Sequence, residues 1–166
     1  MSGRDNSPDL QKLEATFPDE LVDTHHQHGD ATAVVRRDRI VDVCRFLRDS
    51  PEYAFEMLMD ECGVDRGEHP ERHERFEVVL HFYSLTHGFR LRVRVPIPES
   101  DPVMYTLSGL WKGANWFERE IWDMYGIRFE GHPDLRRLLL YDQFEGHPLR
   151  KDYPITKQQP LVGPVD

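Results

Sequence analysis

Two histidines sit in matched settings, in "FEGHPDLRR" (Phe129–Arg137) and "FEGHPLRKDYP" (Phe144–Pro154), each two residues after a glutamate. Imidazole with carboxylate is a donor set for zinc or iron, and such groups can also act as an acid/base pair. His132 and His147 with Glu130 or Glu145 fall short of the ligand count a metal site needs, since no third histidine lies at short helical spacing. The proline after each histidine favours extended backbone, so the bland reading is that Gly-His-Pro shapes a turn. In that reading the imidazole hydrogen-bonds backbone or a carboxylate. "HHQH" (His25, His26 and His28) is metal-like in composition, but on a strand only His26 and His28 share a face, which supports adventitious binding at most. There is no Gly-x-Ser-x-Gly, no cysteine–histidine signature and no glycine-rich loop after a strand to cradle phosphate.

Arginines form the other candidate groups. Arg90, Arg92 and Arg94 alternate along one strand face and could grip phosphate, but Glu56, Asp60 and Glu77 occupy polar positions of neighbouring strands and offer partners for an ion-pair face. Arg136, Arg137, Arg150 and Lys151 make a second basic group beside Asp134 and Asp152. With 166 residues and a formal charge of -9, the chain suits one domain and not a nucleic-acid partner, which would demand a basic surface.

The elements that must position these groups follow from periodicity. "FRLRVRVPI" sends Phe89, Leu91, Val93, Val95 and Ile97 to one face, and "FEVVLHFYSL" does the same with Phe76, Val78, Leu80 and Phe82. "SLTHG" joins these two strands as a hairpin. "YAFEMLM" stacks Tyr53, Phe55, Met57 and Met59, and "DECGVDRGEHPERHER" after it reads as a long solvated loop. "TAVVRR" is a short strand, and "DRIVDVCRFLRDSP" is a helix with Ile40, Val43, Cys44 and Leu47 inward, Asp38 as N-cap and Ser50 before Pro51 as its end. Such strands pair mostly antiparallel and need helices over their apolar face.

The fold expected is therefore α+β and two-layered over residues 1–125, with a mostly antiparallel or mixed sheet covered by helices on one face. Residues 1–18 are frayed or a short helix. Cys44 and Cys62 are too few for a disulfide scaffold or a cysteine-held cluster, which fits a cytosolic compartment. The N-terminus lacks a signal-peptide pattern, and no apolar run approaches the roughly 18 residues that span a bilayer.

A last helix lies in "SGLWKGANWFEREIWDMYG", with Asn115 and Glu118 as a capping-box-like start, Gly126 as the closing left-handed residue, and Phe117, Ile121 and Met124 inward. Its other face carries Glu118, Arg119, Trp122 and Asp123. Arg119 and Asp123 stand four apart, so this face reads either as a surface salt bridge beside an exposed Trp or as a docking face. Residues 126–166 hold little periodicity yet many Pro, Gly, Arg and aromatic positions, which points to an extended segment ordered on a partner surface. The last dozen residues read as flexible.

"NWFEREIWDMYGIRFEGHPDLRRLLL" followed by "FEGHPLRKDYP" closely resembles the signature of the C-type subunit of the proton-translocating NADH:quinone oxidoreductase, respiratory complex I. The match is close from about Leu110 to Pro154 and looser over the strands. Lys112 stands where relatives often have proline, and Leu138–Gln143 where they usually show a Thr and a turn. The resemblance implies a non-catalytic subunit of the peripheral arm with no flavin, iron–sulfur cluster or metal of its own, those cofactors residing in partner subunits. It implies packing on the quinone-reducing D-type subunit, near the B-type subunit, on the cytoplasmic side of the inner membrane, in a complex that passes electrons from NADH to quinone. The docking residues expected are Trp116, Glu118, Arg119, Trp122, Asp123, His132, Asp134, Arg136, Arg137, His147, Arg150, Lys151 and Asp152. The alternatives are the equivalent subunit of a membrane-bound hydrogenase or formate-hydrogenlyase-type complex, and a free metalloenzyme using His132 and His147.

Overall fold

The computed structural model describes residues 7–67 and 74–159. Alternating apolar residues build a five-stranded sheet from β1 (Leu21–Gln27), β2 (Asp30–Val35), β3 (Met57–Asp65), β4 (Phe76–Tyr83) and β5 (Arg90–Ile97), in the order β1-β2-β5-β4-β3. Neighbours are antiparallel except β2 and β5, which run parallel, so the sheet is mixed. On its inner face Phe76, Val78, Leu80 and Phe82 of β4 lie beside Ile97, Val95, Val93 and Leu91 of β5, and all eight are buried.

Three helices deliver apolar side chains to the same core: α1 (Leu10–Thr16) through Leu10 and Leu13, α2 (Ile40–Asp49) through Ile40, Val43, Cys44 and Leu47, and α3 (Ala114–Tyr125) through Ala114 and Ile121. The α+β, two-layer expectation therefore matches the observed architecture. Phe117 packs against this core only partly buried. Ser50 caps the end of α2 as expected, whereas Asp38 is not its N-cap: a 3-10 turn at Arg37–Arg39 precedes the helix, which starts without a side-chain cap.

Two strand expectations are corrected. Tyr53 and Phe55 are buried ahead of β3, but Met57 and Met59 point outward at 46% and 42% exposure, because β3 enters the sheet with Leu58 opposite inward-facing Phe82, and a bulge between Leu58 and Asp60 then makes Glu61 the next inward residue. The charged run after Met59 does not leave the sheet at once. β3 continues to Asp65, with Glu61 and Asp65 buried, and residues 68–73 of the expected loop lie outside the described residues. The expected flexible end falls partly outside them too, at 160–166, as does the frayed start at 1–6.

A two-stranded parallel sheet, β6 (Val103–Tyr105) with β7 (Arg128–Glu130), straps the chain on either side of α3. Phe129 within β7 and Ile127 just before it are core residues, so the chain after Gly126 begins inside the domain.

α3 lies over β3, and Gly63 is what lets it approach. A Cβ there would sit 2.6 Å and 2.9 Å from ring carbons of Tyr125 and 3.1 Å from Ile121 Cγ2. Gly63→Ala is expected to destabilise the fold by about 1–3 kcal/mol through overpacking. The check is urea denaturation, with a lowered midpoint at an unchanged slope; an unchanged midpoint would contradict the close packing.

Candidate functional site

α3 ends at Gly126, whose φ of 75° is the left-handed conformation a C-cap glycine adopts. A side chain would also collide there, since a Cβ would stand 2.6 Å from both the His147 ring and the Arg150 guanidinium. The helix begins at Ala114 after Gly113, with no side-chain cap, so the expected capping box at Asn115 and Glu118 does not form. Glu118 turns inward instead and accepts hydrogen bonds from Leu107 N (2.6 Å) and Thr106 Oγ1 (2.5 Å).

The polar face of α3 is covered by the chain's own continuation. Asp123 is fully buried, and its Oδ2 accepts the backbone N–H groups of Leu138 (3.0 Å), Leu139 (2.8 Å) and Leu140 (3.0 Å). Its Oδ1 takes Arg137 at 2.7 Å. Arg119, one turn earlier, donates to the carbonyls of Arg136 (3.2 Å) and Arg137 (3.0 Å). Arg119 and Asp123 therefore do not satisfy each other as an i,i+4 pair: each holds a different part of the following segment. Burial pushes the Asp123 carboxyl up, but the three N–H donors and Arg137 together bring it below the ordinary carboxylate value.

The two histidines bracket this helix. At its start, His132 Nδ1 accepts from Asp134 N (3.0 Å), so Nε2 carries the proton and donates to Asn115 O (3.1 Å). At its end, His147 Nδ1 donates to Asp123 O (3.0 Å), while its ring meets Trp122 edge-on with centroids 6.5 Å apart. Burial keeps His147 below the usual histidine value, so it is neutral near pH 7. Leu149 N donates to Met124 O (3.1 Å) and Arg150 Nε to Tyr125 O (2.5 Å), which satisfies carbonyls of the last turn and puts a cation at the negative helix end. Among the described residues no group of three or more His, Cys, Asp or Glu is placed to hold a metal ion.

The segment is then tied to the sheet edge. Lys151 N donates to Asp65 Oδ2 (2.8 Å), and Arg75 bridges Asp65 (2.9 Å), Asp152 (2.6 Å) and Glu99 (2.5 Å). The guanidinium carbons of Arg75 and Arg150 lie 4.9 Å and 5.0 Å from the Phe76 ring centroid. Burial raises the Asp65 carboxyl, but bonds from Arg75 and from the N–H groups of Lys151 and Gly67 win and hold it at about 2.

The expected docking residues thus divide. Glu118, Arg119 and Asp123 are buried, and Arg137, His147 and Arg150 are partly buried on partners within the chain, so these six can shape a surface only from beneath it. His132 belongs with them, its side chain closed off between Asn115 and Glu118. Trp122 is half-buried beneath Arg137, whose guanidinium carbon is 5.8 Å from the ring centroid. Trp116, Asp134, Arg136, Lys151 and Asp152 remain exposed. Leu139, Leu149 and Ile155, which were not among the expected docking residues, are large apolar side chains exposed on this segment.

Elsewhere, Arg94 pairs with Glu77 (2.6 Å), Arg92 with Asp30 (3.1 Å), and Arg90 lies over the Tyr83 ring, so the arginine stripe is an ion-pair and stacking face. Of the expected acidic partners, Glu56 instead binds Leu85 N and Thr86 Oγ1, and Asp60 lies 3.9 Å from His81. His25 sits 3.2 Å from Asp23, and His28 leaves the strand at φ 54°, in the turn between β1 and β2.

Comparisons with known proteins agree on a family. The sequence profile described as "Respiratory-chain NADH dehydrogenase, 30 Kd subunit" matches residues 33–159. The C-type subunit of NADH-quinone oxidoreductase from Roseiflexus sp. (strain RS-1) is 46% identical over 155 residues, covering 93% of this chain and 87% of that one. Its counterpart in Hyphomonas neptunium is 49% identical over 144 residues, covering 87% and 69%. A solved structure, a trypsin-resistant fragment of Nqo5, aligns with TM-score 0.66 at 35% identity, covering 76% of this chain and 96% of that chain. A chain of a membrane-bound sulfane sulfur reductase shares the fold, with TM-score 0.71 at 23% identity over 89% and 84% of the two chains.

Asp123→Asn removes the charge that Arg137 faces and weakens the grip on three backbone donors, with an expected loss of about 3–5 kcal/mol. Trypsin should then cut after Arg136 and Arg137 under conditions where wild type resists, and equal resistance would contradict the role given to Asp123. Asp65 should leave its own mark on acid stability. Its depressed carboxyl contributes stability above about pH 4, the unfolded value, and that contribution disappears as pH falls through about 2. An Asp65→Asn variant should therefore show a shallower loss of melting temperature over that range.

Proposed function

The chain belongs to the family of the 30 kDa subunit of respiratory-chain NADH dehydrogenase, the C-type subunit of NADH-quinone oxidoreductase, and from that premise we propose that it serves the complex as a structural subunit without a catalytic site of its own. It docks on the D-type, quinone-reducing subunit beside the B-type subunit, in the peripheral arm on the cytoplasmic side of the membrane. The flavin and iron–sulfur clusters that carry electrons from NADH reside in those and other partners. No helix of the described residues is long and apolar enough to cross a membrane, which fits attachment through other subunits.

The observation that supports this reading best is the form of the segment after α3. It is held along its length by the chain's own buried groups, yet Trp116, Leu139, Leu149 and Ile155 on it and beside it stay 58%, 62%, 51% and 102% exposed. Large exposed apolar side chains on and beside an ordered stretch are what a docking surface offers, and a surface already ordered loses less conformational freedom on binding. Arg119 stacks on Trp116 with its guanidinium carbon 5.0 Å from the ring centroid, so the same arginine that fixes the segment also steadies an exposed indole. Arg136, exposed and paired with Asp134 at 2.9 Å, adds a polar rim. The relatives at 46% and 49% identity are named for NADH-quinone oxidoreductase, which supports quinone over protons as the acceptor.

Co-expression with D- and B-type subunits tests the proposal. Leu139→Asp and Trp116→Asp should each reduce recovery of the complex while leaving the melting temperature of the isolated chain nearly unchanged, because both side chains are exposed. Full recovery of the complex with both variants would overturn the assignment of this surface.

A further inference from the structure

Glu61 of β3 and Glu118 of α3 put two carboxyl groups into the interior between sheet and helix, at 3% and 0% exposure. Their surroundings differ. Glu118 is arranged as an acceptor, with Leu107 N–H on one oxygen and the Thr106 hydroxyl on the other. Glu61 has no hydrogen-bond partner on either oxygen, and these two atoms are the buried side-chain nitrogens or oxygens left unsatisfied among the described residues. A carboxylate charge in such a place would be very unfavourable, whereas a neutral acid is tolerable.

The charged and titratable groups nearby supply no cation to offset the pair. Cys44 of α2 is a buried thiol, and Asp60 precedes Glu61 on β3 and adds negative potential. His132, after β7, has its Nε2 3.8 Å from Glu118, but that nitrogen donates to Asn115 O and its Nδ1 accepts from Asp134 N, so both ring nitrogens are engaged with other partners. Thr106 and Ser108 complete the polar surroundings, joined to each other at 2.8 Å.

We propose that Glu61, buried without a hydrogen-bond partner in the same interior as Glu118, retains its proton at neutral pH, and that losing this proton to solvent loosens α3, with the segment it anchors, from the sheet. Two carboxyls in one dry site cannot both ionise readily, so their protons leave in separate steps that belong to the pair. Burial, with the charge of Glu118 and then Asp60, drives Glu61 upward, and burial raises Glu118 to about 7 against its hydrogen bonds. Both groups bind protons more tightly folded than unfolded. The contribution of Glu118 to stability is therefore full below about pH 4.3, the unfolded value, and declines as pH rises through about 7, and that of Glu61 has the same sign. This inference concerns how the chain holds its own helix and stands whether or not the docking proposal does.

Infrared spectroscopy of the full chain, with melting curves from about pH 5.5 to about pH 8.5, tests it. A protonated-carboxyl carbonyl band should persist at neutral pH in wild type, disappear as pH rises, and be reduced in Glu61→Gln. The wild-type melting temperature should fall by several degrees across that range, and Glu61→Gln, which keeps the shape without the charge, should show a reduced slope, the remainder belonging to Glu118. Absence of the band at neutral pH, or an undiminished slope in Glu61→Gln, would overturn the proposal. Should Glu61→Gln fail to fold, the titration of the wild-type band alone decides.

Discussion

The buried carboxylate of Asp123 is the constraint on which the second half of the molecule depends. A backbone segment without helix or strand has no internal partners for its N–H groups, and if it is to lie ordered on a protein it must find acceptors there. Asp123 supplies them to three consecutive residues at once, and Arg137 returns to balance its charge. Around this point Arg119 takes the carbonyls on one side, and the exposed carbonyls of the last turn of α3 take His147, Leu149 and Arg150 on the other. One helix thus has two roles, packing Ile121 and Ala114 into the core while its polar face acts as the bed for the chain that follows.

Two acidic residues one and a half turns apart on α3 show how environment decides charge. Asp123 is buried but fully supplied with donors, which stabilise the anion more than desolvation penalises it. Glu118 is also buried and bonded, yet it lies toward a second acid with no donors at all, and burial prevails. The same helix therefore fastens one side of itself with a permanent charge and leaves the other sensitive to protons.

Much of this was legible in residue patterns. The alternation in "FEVVLHFYSL" and "FRLRVRVPI" predicted the two central strands and their inward residues, and the 3.6 period of "DRIVDVCRFLRDSP" predicted all four buried positions of α2. Edge elements were harder. The bulge in β3 breaks the alternation that would identify inward residues, and Glu61 and Asp65 hide a strand inside a run that composition alone assigns to solvent. The face of α3 was recognised as odd, but periodicity reports which residues avoid water, not what covers them. A charged face answered by backbone groups of the same chain looks identical in sequence to one answered by a partner. "FEGHP" illustrates the limit: its histidines were visible as chemistry, and their use as backbone hydrogen-bonding pegs at the two ends of one helix emerges only when Asn115 and Asp123 are seen beside them.

Amide hydrogen exchange at Leu138, Leu139 and Leu140 in the isolated full-length chain probes the central interaction most directly. If Asp123 orders the segment without help from any partner, these three amides should exchange far more slowly than in an unstructured peptide, as protected positions of the core do. Exchange at the unstructured rate in the isolated chain would mean that the segment is ordered only by another protein, and that α3 does not hold it.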